Sequence, residues 1–392
     1  MKILLANKFY YRRGGDCSYM LNLEQLLQSH GHEVAIFAMD YPENMDSPWN
    51  RYFPKEVKFA AGPGIIEALR RPLGSKCVIN KFEALLTDFE PDVVHMNNIH
   101  SQLSPVIAEL AHKKGIKVVW TLHDYKLLCP RYDCLRNGKT ICEACFLQKR
   151  EVLSHKCMKK SRLASFLAYV EAKKWTRERL EKCTNAFICP SNFMACKMVQ
   201  GGYDKSKMNI LCNFIDTDKC QKEDYNKDEY YCYIGRLSHE KGVETLISAA
   251  KQLPYKLKII GDGPLMESIK KRVENTHIEL LGYKSWSEIK KILGQARFSV
   301  IPSEWYENNP FSVIESQSLG TPVLGARIGG IPELIDDDKN GMLFEARNTA
   351  DLRDKIEQMH QKHFDYQKIA NNSLNKYSAD SYYDKLMSIY NE

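Results

Sequence analysis

A short apolar segment recurs five times in the first half of the chain, and each has the length of a buried strand. These segments are Lys2–Asn7, Glu33–Met39, Asp92–His95, Ile116–Leu122 and Ala186–Pro190. After the first of them, apolar residues from Tyr19 to Leu27 recur at helical spacing, with Asp16 as the expected N-cap and Gly31 as the expected end. Apolar strands separated by helices predict a parallel sheet that is covered on both faces.

The second half starts the same alternation again. Its expected strands are Tyr230–Gly235, Lys256–Gly261, His277–Leu281, Phe298–Pro302 and Pro322–Ala326. Its expected helices are Gly242–Leu253, Pro264–Glu274, Ser285–Leu293 and Phe311–Leu319. The polar stretch Asp216–Asp228 has few large apolar residues and is the expected linker. The pattern predicts two doubly wound α/β domains, with a ligand between the carboxyl ends of their sheets.

Composition is that of a globular protein of 392 residues. No apolar run approaches the roughly 18 residues of a membrane-spanning helix. Because the first strand begins at Lys2 with no signal peptide before it, we expect a cytoplasmic protein. Residues 1–210 hold 32 Lys and Arg against 21 Asp and Glu. This basic half indicates either an anionic partner, such as phosphate, nucleic acid or a membrane surface, or merely a solvated surface.

Two glutamates, Glu307 and Glu315, stand with seven residues between them in the segment ENNPFSVIE. Glu307 follows a predicted strand, and Pro310 suits the first position of the next helix, which would carry Glu315. Such carboxylates can accept hydrogen bonds from sugar or ribose hydroxyls, and the free N–H groups of Phe311 and Ser312 can donate to a ligand.

This E-x7-E pattern is followed by Gly320-Thr321-Pro322-Val323 and by the segment Gly329–Glu333. Together they resemble the family 4 retaining glycosyltransferases. The resemblance implies a GT-B fold, in which two Rossmann-like domains with doubly wound parallel sheets face each other across a cleft. Residues 1–210 would bind the acceptor and residues 211–370 the nucleotide sugar, with a C-terminal helix within 371–392 packing back on the first domain.

The same resemblance implies roles for the residues around the two glutamates. Glu307 would face the transferred sugar and Glu315 would hold the ribose, in a donor site that also includes Asn309, Pro310, Phe311 and Ser312. No metal cofactor would be needed for catalysis. The donor would be a nucleotide diphosphate sugar.

A second element, Tyr233–Gly242, runs from a strand into a helix and carries Arg236 and Lys241. Two cations near a helix start suit a diphosphate. The resemblance gives Arg236 and Lys241 the task of neutralising the leaving diphosphate; the alternative is a surface ion pair with Glu240 or Glu244. Gly282 and Tyr283 match the position at which the family contacts the base, although plain turn chemistry would also explain them.

In the first half, Gly14 and Gly15 follow the first strand, and two glycines let backbone N–H groups approach a phosphate. The family places such a loop against the donor phosphates, while the alternative is that they only shape the turn. His123 follows another strand, where the family carries a histidine beside the reacting sugar, and Asp124 could orient it. The cluster from His95 to His100 is expected to be acceptor-side or structural.

Five of the 13 cysteines lie between Cys129 and Cys157. Cys142 and Cys145 have the spacing of a metal knuckle, and Cys129 and Cys157 could complete four thiolate ligands for a structural zinc ion. Free thiols are the equal alternative, and an iron–sulfur cluster is a remote one.

Two stretches, Ile65–Leu86 and Arg162–Lys182, mix apolar residues with Lys and Arg. A basic amphipathic helix can lie on anionic lipid, or its apolar stripe can belong to the core. The first reading predicts peripheral contact with the cytoplasmic membrane face and a lipid-linked saccharide acceptor.

The sequence therefore predicts a retaining glycosyltransferase that moves a hexose from a nucleotide sugar to a saccharide or lipid-linked saccharide, in the synthesis of bacterial surface polysaccharide or glycoconjugate. One alternative is a nucleotide-sugar epimerase of the same fold. Another is a non-catalytic protein that binds an anionic surface. Nucleic acid is not expected as a partner, because the basic residues lack interleaved aromatic residues.

Overall fold

The computed structural model describes residues 1–58, 64–222 and 224–392, and these residues form two compact units. Unit 1 comprises Met1–Cys212 and Tyr382–Glu392, and unit 2 comprises Asn213–Ser381. The C-terminal helix 371–392 was expected to pack on the first domain, but residues 371–381 belong to unit 2. The described part of the expected linker, from which Glu223 is excluded, also belongs to unit 2.

Unit 1 is built on a six-stranded parallel sheet with the order β2-β1-β3-β4-β7-β8. The strands of this sheet are β1 Lys2–Ala6, β2 Glu33–Phe37, β3 Val93–Met96, β4 Lys117–Thr121, β7 Ala186–Cys189 and β8 Met208–Ile210. Two further strands, β5 Leu135–Arg136 and β6 Thr140–Ile141, form a separate antiparallel hairpin. The five predicted strands are present, and β8 is an additional edge strand. Residues of β1, β3, β4 and β7 are almost completely buried, as expected for strands covered on both faces.

Eight α-helices are described in the first part of unit 1. They are α1 Gly15–Ser29, α2 Ile65–Arg70, α3 Lys76–Phe89, α4 Val106–Lys113, α5 Glu151–Ser154, α6 Arg162–Lys174, α7 Arg177–Lys182 and α8 Asn192–Gln200. The predicted N-cap of α1 was wrong: Gly14 is the N-cap, and Asp16 lies in the first turn. An acidic residue is favourable there as well, because it faces the positive end of the helix dipole.

Unit 2 repeats the architecture with a second six-stranded parallel sheet, in the order β11-β10-β9-β12-β13-β14. Its strands are β9 Tyr230–Ile234, β10 Lys256–Ile260, β11 Ile278–Gly282, β12 Ser299–Ile301, β13 Val323–Ala326 and β14 Gly341–Phe344. The core lies between the sheet and its helices and includes Tyr231, Leu246, Ile259 and Phe298. The parallel α/β architecture predicted for both halves is thus confirmed.

The remaining helices begin in unit 2. They are α9 Thr217–Cys220, α10 Val243–Ala250, α11 Met266–Val273, α12 Trp286–Gln295, α13 Phe311–Ser318, α14 Thr349–Gln361, α15 Tyr366–Lys376 and α16 Ala379–Asn391. From Tyr382 onward, α16 belongs to unit 1. There Tyr382 hydrogen-bonds to Tyr19, and Nδ1 of His95 lies 2.6 Å from the Tyr390 hydroxyl.

Among the described residues, none of the helices combines the length and the apolar character that a bilayer crossing requires.

Candidate functional site

The carboxyl edge of the unit 2 sheet holds a partly buried ion pair between two of the predicted site residues. Nζ of Lys241 lies 2.6 Å from Oε1 of Glu307, and the Ser303 hydroxyl donates to the same oxygen at 2.7 Å. Burial alone would raise the pKa of Glu307, but the Lys241 ammonium and these hydrogen bonds outweigh it and lower the pKa below its ordinary value. Lys241 therefore pairs with Glu307, not with Glu240 or Glu244 as in the surface ion-pair alternative.

Close backbone packing holds this pair in place. Lys241 ends a single 3-10 turn, His239–Lys241, that leads into α10. A Cβ atom at Gly242 would lie 1.8 Å from the carbonyl oxygen of Pro302, and one at Gly329 would lie 2.3 Å from that of Glu307. Both glycines also have positive φ, so a side chain at either position would be strained as well as crowded.

Glu315 lies on α13, eight residues after Glu307 in sequence, and it behaves differently. Its carboxylate is partly buried, and burial raises its pKa from an ordinary value of 4.5 to about 7. The helix begins at Phe311 with Pro310 as its N-cap, one position earlier than predicted for the proline. The N–H groups of Phe311 and Ser312 thus belong to the first turn, which leaves them without intrahelical acceptors.

Asn309 is fixed by unit 2 itself. Its Oδ1 accepts from the N–H of Asn213 at 2.9 Å, and its carbonyl accepts from Nδ2 of Asn213 at 2.7 Å. Nδ2 of Asn309 is buried without a hydrogen-bond partner among the described residues. That amide is therefore a donor that a ligand could satisfy.

The other predicted donor-site residues follow neighbouring strands of the same sheet. Arg236 follows β9 and is exposed, and its carbonyl accepts from the Tyr233 hydroxyl at 2.9 Å. Gly282 ends β11, and its carbonyl accepts from the N–H of Gly261 at 2.9 Å. The next residue, Tyr283, is 82% exposed. Because these strands are parallel, all of these residues lie at one edge of the sheet.

In unit 1, His123 follows β4 and is oriented by Asn97. Its Nε2 lies 3.0 Å from Oδ1 of Asn97, and its ring packs edge-on against Tyr19 at 4.8 Å between centroids. Burial lowers the pKa of His123 to about 4, so the imidazole is neutral at pH 7. The predicted orienting role of Asp124 was wrong, because Oδ1 of Asp124 accepts instead from the N–H of Lys126 at 2.9 Å.

Gly14 and Gly15 begin α1 at the same edge of the unit 1 sheet, after β1. His95 is structural: its Nε2 lies 2.7 Å from the Thr121 hydroxyl, and its other nitrogen contacts Tyr390. These contacts give no support to the alternative that His95 binds the acceptor.

The comparison with protein families covers nearly the whole chain. Residues 13–219 match the model of Glycosyltransferase Family 4, and residues 214–376 match that of the glycosyl transferases group 1. The chain belongs to glycosyltransferase family 4.

Two relatives illustrate how this glycosyltransferase compares with other members. A Klebsiella pneumoniae protein described as an uncharacterized 42.6 kDa protein in the cps region is 25% identical over 356 residues, which are 85% of this chain and 87% of that protein. An uncharacterized glycosyltransferase of Methanocaldococcus jannaschii is 32% identical over 177 residues, so the match spans 44% of this chain and 49% of that relative.

Among solved structures, the Anabaena protein HepE in complex with UDP and glucose superposes with a TM-score of 0.66 at 17% identity, over 99% of this chain and 98% of that one. At this identity the likeness concerns the fold alone. The fold of this glycosyltransferase is GT-B, as the sequence predicted.

The cysteine-rich segment of the glycosyltransferase lies between β4 and α6. The thiols of Cys134 and Cys145 hydrogen-bond to Cys129 and lower its pKa well below the ordinary value. Across residues 1–58, 64–222 and 224–392, no three His, Cys, Asp or Glu side chains are arranged to hold a metal ion. The zinc set of Cys129, Cys142, Cys145 and Cys157 therefore remains a prediction, which metal analysis of protein purified without added zinc would test.

Two residues of interest were missed by the sequence analysis. Ser303 donates to Glu307 at 2.7 Å and could have been noticed as a polar residue directly after the β12 segment. Lys8 follows β1 and is largely buried, and no sequence signal distinguishes it from the many solvated lysines of this chain.

Proposed function

We propose that this protein is a retaining hexosyltransferase whose donor is a nucleotide diphosphate sugar and whose acceptor is a saccharide or lipid-linked saccharide. The observation that carries the proposal is the partly buried ion pair between Lys241 and Glu307 at 2.6 Å. An ammonium group and a carboxylate at the carboxyl edge of a parallel sheet are suited to a diphosphate and to sugar hydroxyls, respectively.

In the proposed reaction, the bond between the sugar C1 and the donor diphosphate breaks, and the acceptor oxygen bonds to C1 on the same face. The acceptor hydroxyl gives its proton to the departing diphosphate oxygen. Lys241 and Arg236 neutralise the charge that develops on the diphosphate, and this electrostatic stabilisation is the main catalytic contribution. The two cations take the place of a divalent metal ion.

The roles of the remaining site residues follow from their positions. Glu307 binds the hexose, and Glu315 with Asn309, Pro310, Phe311 and Ser312 holds the nucleoside and phosphates. Gly282 and Tyr283 contact the base. In unit 1 we assign Gly14 and Gly15 to the donor phosphates and His123 to the reacting sugar, as the family resemblance implies.

The comparisons support a place in bacterial surface polysaccharide or glycoconjugate synthesis. The Klebsiella pneumoniae relative is described by its location in a cps region, and the Anabaena structure holds UDP and glucose. We therefore begin the search for a donor with UDP-hexoses and include GDP- and ADP-hexoses.

Substitution of the ion pair tests the proposal. In both Lys241→Ala and Glu307→Ala, we expect turnover to fall by about 100-fold or more, because each variant loses charge stabilisation or sugar positioning. Lys256→Ala is the matched control, since its ion pair with Glu279 at 3.0 Å is exposed in the same unit. Near wild-type turnover in both site variants would contradict the proposal, as would conversion of the donor to an epimer in the absence of any acceptor.

We further propose that unit 1 contacts the cytoplasmic face of an anionic membrane through α2 and α6. Leu163 and Phe166 of α6 are 70% and 51% exposed, and Ile66 of α2 is 63% exposed. Trp175, directly after α6, donates to the carbonyl of Pro72 at 2.7 Å, so the ends of the two helices meet. The predicted amphipathic segment Ile65–Leu86 forms two helices with different environments. The apolar residues of α3 pack into the core, whereas α2 is largely exposed.

Exposed basic residues on the same helices, including Arg70, Arg162 and Lys173, complement anionic headgroups. We expect wild-type protein to sediment with vesicles that contain phosphatidylglycerol at low salt, and we expect Leu163→Ser/Phe166→Ser to sediment less. Ile210→Ser, which changes an exposed apolar residue on β8, serves as the control. Equal sedimentation of all three proteins, or none by wild type, would contradict the membrane contact.

A further inference from the structure

Three neighbouring strands of the unit 1 sheet each lead into a polar side chain that the proposed donor chemistry does not use. Lys8 follows β1, Asn98 follows β3 and Asp124 follows β4. These strands are adjacent in the order β1-β3-β4 and run parallel, so the three residues lie at one edge of the sheet.

Several polar atoms at this edge have no partner. Nδ2 of Asn97 and Oδ1 of Asn98 are buried without a hydrogen bond among the described residues. No hydrogen bond or ion pair joins Nζ of Lys8 to any part of the chain that the structure describes, and this atom lies 5.5 Å from the ring centroid of Phe9. Since an unsatisfied buried polar atom costs about 1–3 kcal/mol, such a group at a sheet edge indicates an absent partner.

Backbone and side-chain contacts hold these residues together. The N–H of Lys8 donates to the carbonyl of Asn98 at 3.0 Å, and Nδ2 of Asn98 donates to Asp16 at 3.0 Å. Oδ1 of Asn97 lies 3.0 Å from His123, so the unpaired Nδ2 is next to the candidate catalytic histidine. Hydrogen bonds of other atoms in Lys8, Asn97 and Asn98 therefore hold the unsatisfied atoms of these three residues in position.

The charges at this edge are balanced, which bears on the class of ligand. Lys8 is attracted by Asp124 and Asp16 and repelled by Arg13 and Lys126. Lys126 is itself neutralised by Glu171, at 2.8 Å. With Lys8 and Arg13 facing Asp16 and Asp124, the side-chain charges around Lys8 are balanced, and the surroundings of Lys8 suit a neutral ligand rich in hydrogen-bonding groups.

We infer that Lys8, Asn97, Asn98 and Asp124 form a subsite that binds the hydroxyl groups of a neutral sugar, and that this sugar is the acceptor. The inference rests on the proposed function. A hydroxyl group both donates and accepts. Lys8 and Asn97 donate to sugar oxygens, while Asn98 and Asp124 accept sugar O–H groups. Although burial raises the pKa of Asp124 to about 6, it is mostly ionised at neutral pH and accepts a strong, charge-assisted bond.

Ligand-observed NMR on the full chain tests this subsite with three probes, the methyl glycosides of glucose, galactose and N-acetylglucosamine. We expect wild type to bind at least one of them and not to release it in excess inorganic phosphate. In Lys8→Met and in Asp124→Asn, we expect affinity to fall about tenfold or more, because each loses a charge-assisted hydrogen bond. Lys114→Met, an exposed lysine in the same unit, should bind as wild type does.

Binding of none of the three glycosides by wild type would overturn the inference, as would unchanged affinity in both variants or displacement by phosphate. Thermal stabilisation by UDP-, GDP- and ADP-hexoses, measured on the same proteins, keeps the two proposals apart. If a nucleotide sugar stabilises wild type and both variants alike while the glycosides fail, the subsite is wrong and the donor site stands.

Discussion

Two lysines, one in each unit, follow the first strand of their parallel sheet, and they differ in their partners. Lys241 of unit 2 is paired with Glu307 at 2.6 Å. Lys8 of unit 1 is largely buried, and burial lowers its pKa below the ordinary value. A paired cation such as Lys241 is already neutralised, and an anionic ligand can replace its carboxylate partner. A buried cation without an ion-pair partner, such as Lys8, lowers the stability of the unliganded protein until a ligand binds to it.

The largest expected effect is on the free energy of unfolding, when the ion pair between Lys126 and Glu171 in unit 1 is removed. The same measurement on a Lys8 variant provides the comparison. Lys126 and Glu171 have side chains that are only 10% and 8% exposed, so Lys126→Met leaves a buried carboxylate without its partner. We expect a loss of about 3 kcal/mol in the free energy of unfolding. Lys8→Met removes a charge that has no ion-pair partner among the described residues, so we expect stability to stay unchanged or to rise by about 1 kcal/mol.

Urea unfolding of both variants measures this difference. A loss in Lys8→Met as large as that in Lys126→Met would mean that Lys8 has a structural partner, and the contrast between the two sheet edges would disappear.

A smaller effect is expected from the packing behind Glu307. In Gly329→Ala, the new Cβ would meet the Glu307 carbonyl at 2.3 Å in a backbone with φ of +61°, so we expect a loss of about 2 kcal/mol or more. Gly31→Ala is the matched control, because Gly31 also has positive φ but nothing lies within 4 Å of its Cβ position. Equal melting temperatures in the two variants would show that the contact with Glu307 is not tight.

The smallest effect concerns Glu315, a carboxylate of unit 2 for which the described residues provide no hydrogen bond or ion pair. Its pKa rises from 4.5 to about 7, so the folded state binds the proton more tightly than the unfolded state. The contribution of this group to stability is therefore fully present below pH 4.5 and is lost as the pH rises to about 7. In Glu315→Gln, we expect a shallower decline of melting temperature across that window, and an unchanged slope would contradict the shift.

The sequence predicted most of the fold because buried parallel strands are continuous apolar runs. Every predicted strand overlaps an observed one. The strands that were not predicted are the two-residue strands β5 and β6 and the strands β8 and β14, which lie at the edges of the two six-stranded sheets. β8 gives no continuous apolar run, because Asn209 interrupts it and its residues are only partly buried or exposed. The N-cap of α1 was misplaced because an acidic residue is favourable both at the cap and in the first turn.

The two candidate sites differed in how far the sequence could reveal them. Lys241, Glu307 and Glu315 stand within recognisable motifs, and the contact between Lys241 and Glu307 could be expected from the strands that each follows. Lys8 and Asn98 stand in no motif. Their unsatisfied atoms arise from the way in which the ends of β1, β3 and β4 meet, and only the three-dimensional arrangement reveals them.

The central claim is that Lys241 holds the diphosphate of a nucleotide sugar, and a thermal-shift panel of UDP-, GDP- and ADP-hexoses on wild type and Lys241→Ala tests it most directly. A cognate donor at a hundredfold its dissociation constant should add about 2.7 kcal/mol to the stability of wild type and much less to that of the variant. Equal stabilisation of both proteins, or of neither by any donor, would contradict the account.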